Sequence, residues 1–215
     1  SSRSSWRSLA VRLYNALIRR APRRRMKLFA SEYWSHIAPV MGKMDDAELI
    51  LMEAGELRNI PWRQLWKHRV QVRHPGDMNA LTRQTMQECA GVFHDGWERA
   101  HKLVGDYFSK QRLELDWSPV ISACEHLVAY GVRVATDSEA LKNILQEERP
   151  DAVLQLASVG GRRHHFLLLA RAAKTLRIPS VELQHAGAYI DPRSAYSRIE
   201  TTYLAAYGPY VRQWY

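Results

Sequence analysis

Apolar residues in this chain follow two different patterns. The first is the short unbroken run closed by turn residues: MKLFA at 26–30, ELILM at 48–52, AVLQLA at 152–157 and SVELQ at 180–184. Such runs are what strands buried on both faces look like. HRVQVR at 68–73 alternates and predicts a weaker strand, and TTYLAA at 201–206 predicts a last short one. The second pattern is helical spacing. Between 78 and about 112 it places Met78, Leu81, Met86, Ala90, Phe93, Trp97, Leu103 and Tyr107 along a proline-free stretch, with Gly91, Gly96 and Gly105 as points where the run can bend.

The same spacing predicts further helices. One follows the first strand over IAPVMGKM at 37–44, and one starts at Ser118-Pro119 and runs to about Tyr130. Another, capped by Asp137 or Ser138, ends before Pro150, and a fourth spans 164–176. YGPYVRQWY at 207–215 reads as a glycine turn entering a helix with Pro209 in its first turn. Asp77, after the HPGD turn, is a helix N-cap candidate.

Strand, helix, strand repeated at both ends of the chain predicts α/β architecture: a Rossmann-like parallel sheet flanked by helices, with right-handed crossovers and a helical insertion at about 77–148. With 215 residues, 46% of them hydrophobic, a domain at 26–215 can bury a substantial core. No apolar run reaches a membrane-spanning length. Cys89 and Cys124 lack the spacing of a disulfide scaffold or zinc site, so a cytoplasmic protein is expected.

Charge changes the picture at one end only. Residues 1–25 hold eight arginines and no acid, which accounts for eight of the nine net positive charges. In that segment Trp6, Leu9, Ala10, Leu13, Ala16 and Leu17 share a helical face opposite Ser8, Arg12, Asn15 and Arg19. A basic amphipathic helix fits contact with an anionic membrane surface, which would make the protein peripheral at the inner face of the cell membrane. Packing of the apolar face on the domain is the alternative. Nucleic acid is not expected as a partner, because no interleaved aromatics accompany the arginines.

Ligands of open α/β sheets bind outside the carboxyl ends of the strands. Those ends are Ser31-Glu32-Tyr33-Trp34-Ser35-His36, Glu53-Ala54-Gly55-Glu56, SVGGRRH at 158–164, and Gln184-His185-Ala186-Gly187. His36, four residues after Glu32, has the chemistry of a general base oriented by a carboxylate, because neutral imidazole titrates near working pH. Ser158, Gly160, Gly161 and Arg162 could cradle a phosphate, although neither a P-loop nor a dinucleotide fingerprint is present, and a plain strand-to-helix turn reads equally well. No histidine pair has metal-ligand spacing, so no metal is expected, and no G-x-S-x-G elbow occurs.

From RPDAVLQLASVGG through RIPSVELQHAGAY to TTYLAAYGPYVRQWY the chain resembles the N-terminal half of GT-B glycosyltransferases, most closely bacterial surface- and capsule-polysaccharide transferases related to CDP-glycerol glycerophosphotransferases. The match covers about 150–215, with KLFASEYWSHIAPVM at 27–41 similar to their first strand and glycan-facing loop. The resemblance implies a metal-independent glycosyltransferase of cell-surface polysaccharide synthesis, without a cofactor. Its partners would be a nucleotide-sugar donor and a glycan or lipid-linked acceptor. His36 and Glu32 would be catalytic, with Ser31, Tyr33, Trp34, Ser158, Gly160, Gly161, Arg162, Gln184, His185 and Gly187 binding substrate. The family's Gln-His-Gly is here one residue longer, Gln184-His185-Ala186-Gly187, so His185 is expected to shape the cleft and His36 to move the proton. Members continue into a second domain that holds most of the donor site; an acceptor-side half, incomplete in catalysis alone, is therefore expected. A non-catalytic binding or scaffold module and an RNA-associated protein using the basic tail are the rival expectations.

Overall fold

The computed structural model describes residues 13, 15–17, 26–31, 34–52, 60–73, 80–110, 118–156, 165–183 and 199–205. Six strands, β1 (Met26–Ala30), β2 (Ala47–Met52), β3 (Gln71–Arg73), β4 (Ala152–Gln155), β5 (Ser180–Leu183) and β6 (Tyr203–Ala205), form one sheet. Every neighbouring pair is parallel, in the order β3-β2-β1-β4-β5-β6. This is the Rossmann-like order, in which the direction of winding reverses between β1 and β4. The helices are α1 (Trp34–Met41), α2 (Trp62–Lys67), α3 (Ala80–Lys110), α4 (Ser118–Glu148) and α5 (His165–Thr175).

Alternation along the strands makes two cores. Leu28, Ala30, Leu49, Leu51 and Leu154 point to one face, where Trp34, Ile37 and Met41 of α1 close over them together with Leu65 of α2. Phe29, Ile50, Met52 and Val153 point to the other and meet Leu141, Ile144 and Leu145 of α4 and Leu168, Leu169, Ala172 and Ala173 of α5. β2 lies between these layers with all six residues buried, as the unbroken apolar run predicts. The short helix α2 has no counterpart in the sequence reading, since it buries Leu65 alone.

The helical insertion is simpler than its sequence predicts. The spacing predicts two helices over 118–149 with a break after Tyr130; α4 instead runs unbroken for 31 residues. Gly131 is the apparent break, and the Phe93 ring of α3 explains it. An added Cβ would lie 2.6 Å from Cε1 of that ring, so the residue is small because another helix crosses there. Asp137, read as a cap, lies inside the helix 4.0 Å from Arg133 one turn earlier.

Two devices fasten the insertion and the edge. At the foot of α4, Glu148 accepts from Lys27 Nζ at 2.8 Å and from Arg73 Nε at 2.5 Å, tying the helix to β1 and β3. At the open edge, Asn15 donates from Nδ2 to the Val72 carbonyl at 2.8 Å and accepts from the Val72 amide at 3.1 Å. A single side chain thus satisfies both main-chain groups that a seventh strand would have used. Leu13 and Leu17, from the opposite face of that segment, are about 60% exposed. The alternative in which the apolar face packs on the domain therefore fails at these two leucines: the polar face holds on.

Candidate functional site

The sheet's registration defines the site. Ala30 is paired with Leu51 and with Leu154, Met52 with Arg73, and Gln155 with Glu182. One step beyond Ala30, Ser31 continues its row, so Ser31, Gln155 and Glu182 stand side by side across β1, β4 and β5. The row crosses the point where the winding reverses, at the carboxyl ends of the strands. Ser31 is 4% exposed, Gln155 0% and Glu182 1%. By alternation all three aim at the α4 and α5 face, the side to which Phe29 and Val153 also point.

Three polar side chains in one buried row are costly for a core. Apolar residues at those positions would complete the α4 and α5 layer, as Met52 does one strand away. Together the row offers a hydroxyl, an amide that both donates and accepts, and a carboxyl, which is a set suited to a polyhydroxylated ligand. Sequence reasoning does not single out Gln155 and Glu182. The signal is present nevertheless: Gln155 is the one polar residue of AVLQ, and Glu182 is the charged residue between Val181 and Leu183 in SVEL.

The sequence-derived candidates divide as follows. Ser31 lies in the row. Trp34 is 6% exposed inside the α1 core cluster, with its ring tilted against His68 at a centroid distance of 6.2 Å; there it fills core space. His36 is half-buried in the first turn of α1, directly after the β1 carboxyl end, with Nδ1 shielded from solvent. The helix that carries it covers the face opposite the polar row, so His36 and the row approach the sheet edge from different sides. Glu32, Tyr33, Ser158, Gly160, Gly161, Arg162, Gln184, His185 and Gly187 lie outside the described residues.

Elsewhere, a cavity of about 300 Å³ is lined by residues of α3 and α4, among them Trp97, His101, Val104, Phe108, Val120 and Ile121. Its apolar walls suit no step of polar chemistry at the strand ends. No helix among the described residues is long and apolar enough to cross a membrane.

No family model and no curated protein matches the chain. Among solved structures, a UDP-GlcNAc 2-epimerase from Neisseria meningitidis, crystallised with UDP-GlcNAc bound, is similar with a TM-score of 0.33 and 11% identity. The likeness covers 80% of this chain and 35% of that one, so the chain spans about a third of the enzyme's length.

Proposed function

We propose that this domain is the acceptor-side half of a GT-B type glycosyltransferase that builds a bacterial cell-surface glycan. The observation that carries the proposal is the buried row Ser31, Gln155 and Glu182 at the reversal point of a parallel sheet, where open α/β folds hold their ligands. The resemblance of residues 150–215 to polysaccharide transferases gives the row a substrate class. An acceptor hydroxyl would lose its proton to a base, for which His36 with Glu32 is the candidate. The resulting oxygen nucleophile would form a bond to the anomeric carbon of a nucleotide sugar as the bond to the nucleoside diphosphate breaks. The exposed Leu13 and Leu17, beside eight arginines, favour an anionic membrane surface as the place where a lipid-linked acceptor is met.

A second reading, a Rossmann-like sugar-binding module without turnover, is favoured by one observation: His36 and the polar row lie on opposite faces. Two substitutions in the full-length protein separate the readings. The transfer reading expects His36→Ala to abolish turnover with donor affinity unchanged, and Gln155→Met to weaken acceptor binding without loss of thermal stability. Undiminished turnover in His36→Ala removes that residue from the mechanism. A destabilised Gln155→Met with unaltered acceptor binding makes the row structural and ends the proposal.

A further inference from the structure

From Gln84 to Ala135 not one described side chain is buried, although this two-helix arm carries Val92, Leu103, Tyr107, Leu127 and Tyr130 at 53–71% exposure. The two helices are antiparallel: the Phe93 ring lies on Gly131, and Val120 joins Phe108 in the lining of one cavity. Successive positions on a helix turn by about 100°. The seam between α3 and α4 therefore uses Phe93, Trp97, Val104 and Phe108 from one helix and Val120, Cys124, Val128 and Gly131 from the other.

A second stripe then remains on each helix. On α3 it is Val92, Gly96, Ala100, Leu103 and Tyr107, and on α4 it is Ala123, Leu127 and Tyr130, ending where Val134 packs against the domain core. Both have the three- and four-residue spacing of helices that pack along a further neighbour. Each stripe sits one residue before its seam, a turn of about 100° in the same rotational sense along its own chain direction. Because the helices run in opposite directions, equal rotations bring the stripes to the same side of the arm. They form one continuous apolar face.

We propose that this face is covered by the same face of a second copy of the chain, so that two arms close into a four-helix bundle about a two-fold axis. Charge selects this occupant. From Gln84 onward α3 carries Arg99, Lys102 and Lys110 against Glu88, Asp95, Glu98 and Asp106, and over 118–135 Arg133 balances Glu125, so these helices are within one charge of neutral. A neutral surface of mixed sign has no field to attract anionic lipid or nucleic acid, unlike the arginine-rich segment at 1–25. It does match itself, as a two-fold interface requires. The size is sufficient as well. An arm about 27 Å long and two helices wide, roughly 20 Å, presents on the order of 500 Å² in projection, or about 1,000 Å² for the pair, which reaches the lower limit of specific interfaces.

Sedimentation of the chain at micromolar concentration tests the proposal. The expected mass is twice 24.9 kDa. Leu127→Glu and Leu103→Glu should each weaken association by at least about tenfold with helical circular dichroism retained. Lys102→Glu, off the apolar stripe of α3, should leave it unchanged; where Leu127→Glu does not fold, Leu127→Ser gives the same reading. A monomeric wild-type chain overturns the proposal, as does a dimer that survives both glutamate substitutions. Binding of wild-type protein to phosphatidylcholine vesicles that Leu127→Glu abolishes also overturns it, because lipid would then be the occupant.

Discussion

The sheet and the arm bury apolar surface to very different degrees. In the sheet, Phe29, Leu49 and Ile50 are sealed from solvent between two helical layers. In the arm, Leu103 and Leu127 are about 70% exposed although both helices run for 31 residues. The central strands are covered on both faces, whereas the arm has one seam, in which Phe93 and Val104 are still about 40% exposed, and one open face. Completeness also marks the ligand site by contrast. A polar row such as Ser31, Gln155 and Glu182 stands out only against a mainly buried, apolar layer such as that of Phe29, Val153 and Leu169; the same residues in the arm would signify nothing.

The largest expected effect tests the sealed side directly. Phe29→Ala removes a fully buried ring and should cost about 3–5 kcal/mol in denaturant unfolding. Leu127→Ala, measured on protein dilute enough to be monomeric, should stay within about 0.5 kcal/mol. Equal costs would mean that the arm carries a hidden core and would erase the contrast.

The junction between the two regions gives the next effect. Glu148 is 5% exposed at its side chain and serves both Lys27 and Arg73, which are 14% and 16% exposed. Glu148→Ala strands Lys27 and leaves Arg73 with Glu147 alone, and should cost about 3 kcal/mol. Its neighbour Glu147 holds Arg73 at 2.8 Å from a half-exposed position, so Glu147→Ala should cost less than about 1 kcal/mol. Thermal melts of the two variants, at matched salt, check the ratio.

How far the sequence discloses this arrangement depends on how local each cause is. The middle of the parallel sheet is legible because the burial of its strands is written in their own runs of apolar residues, as in LILM and AVL. The polar row is legible in part: Ser31 ends a strand, but Gln155 and Glu182 gain meaning only when registration sets them side by side. Asn15 is opaque, since its partner Val72 is 57 residues away and nothing near Asn15 announces an edge strand. The unbroken course of α4 is opaque for the same reason. Gly131 resembles a helix end until the Phe93 ring, contributed by another helix, is in view.

That last pair of residues gives the smallest effect and the finest discrimination. Glycine inside a helix costs roughly 0.5–1 kcal/mol relative to alanine because the unfolded chain loses more freedom on ordering. At Gly91 an added Cβ meets nothing within 4 Å, so Gly91→Ala should recover that amount. At Gly131 the same methyl would meet Phe93 Cε1 at 2.6 Å and Cζ at 3.0 Å, and the ring must swing away from α4 to admit it. Phe93 is itself 39% exposed, so the ring has room to move, and the lost packing should offset most of the propensity gain. Gly131→Ala is therefore expected near zero or slightly destabilising, and the double variant Gly131→Ala with Phe93→Ala should restore the full alanine benefit relative to Phe93→Ala alone. Hydrogen exchange of the α3 and α4 amides resolves differences of this size. Identical stabilisation by Gly91→Ala and Gly131→Ala would show that the two helices do not touch at this point, and the seam of the arm would have to be redrawn.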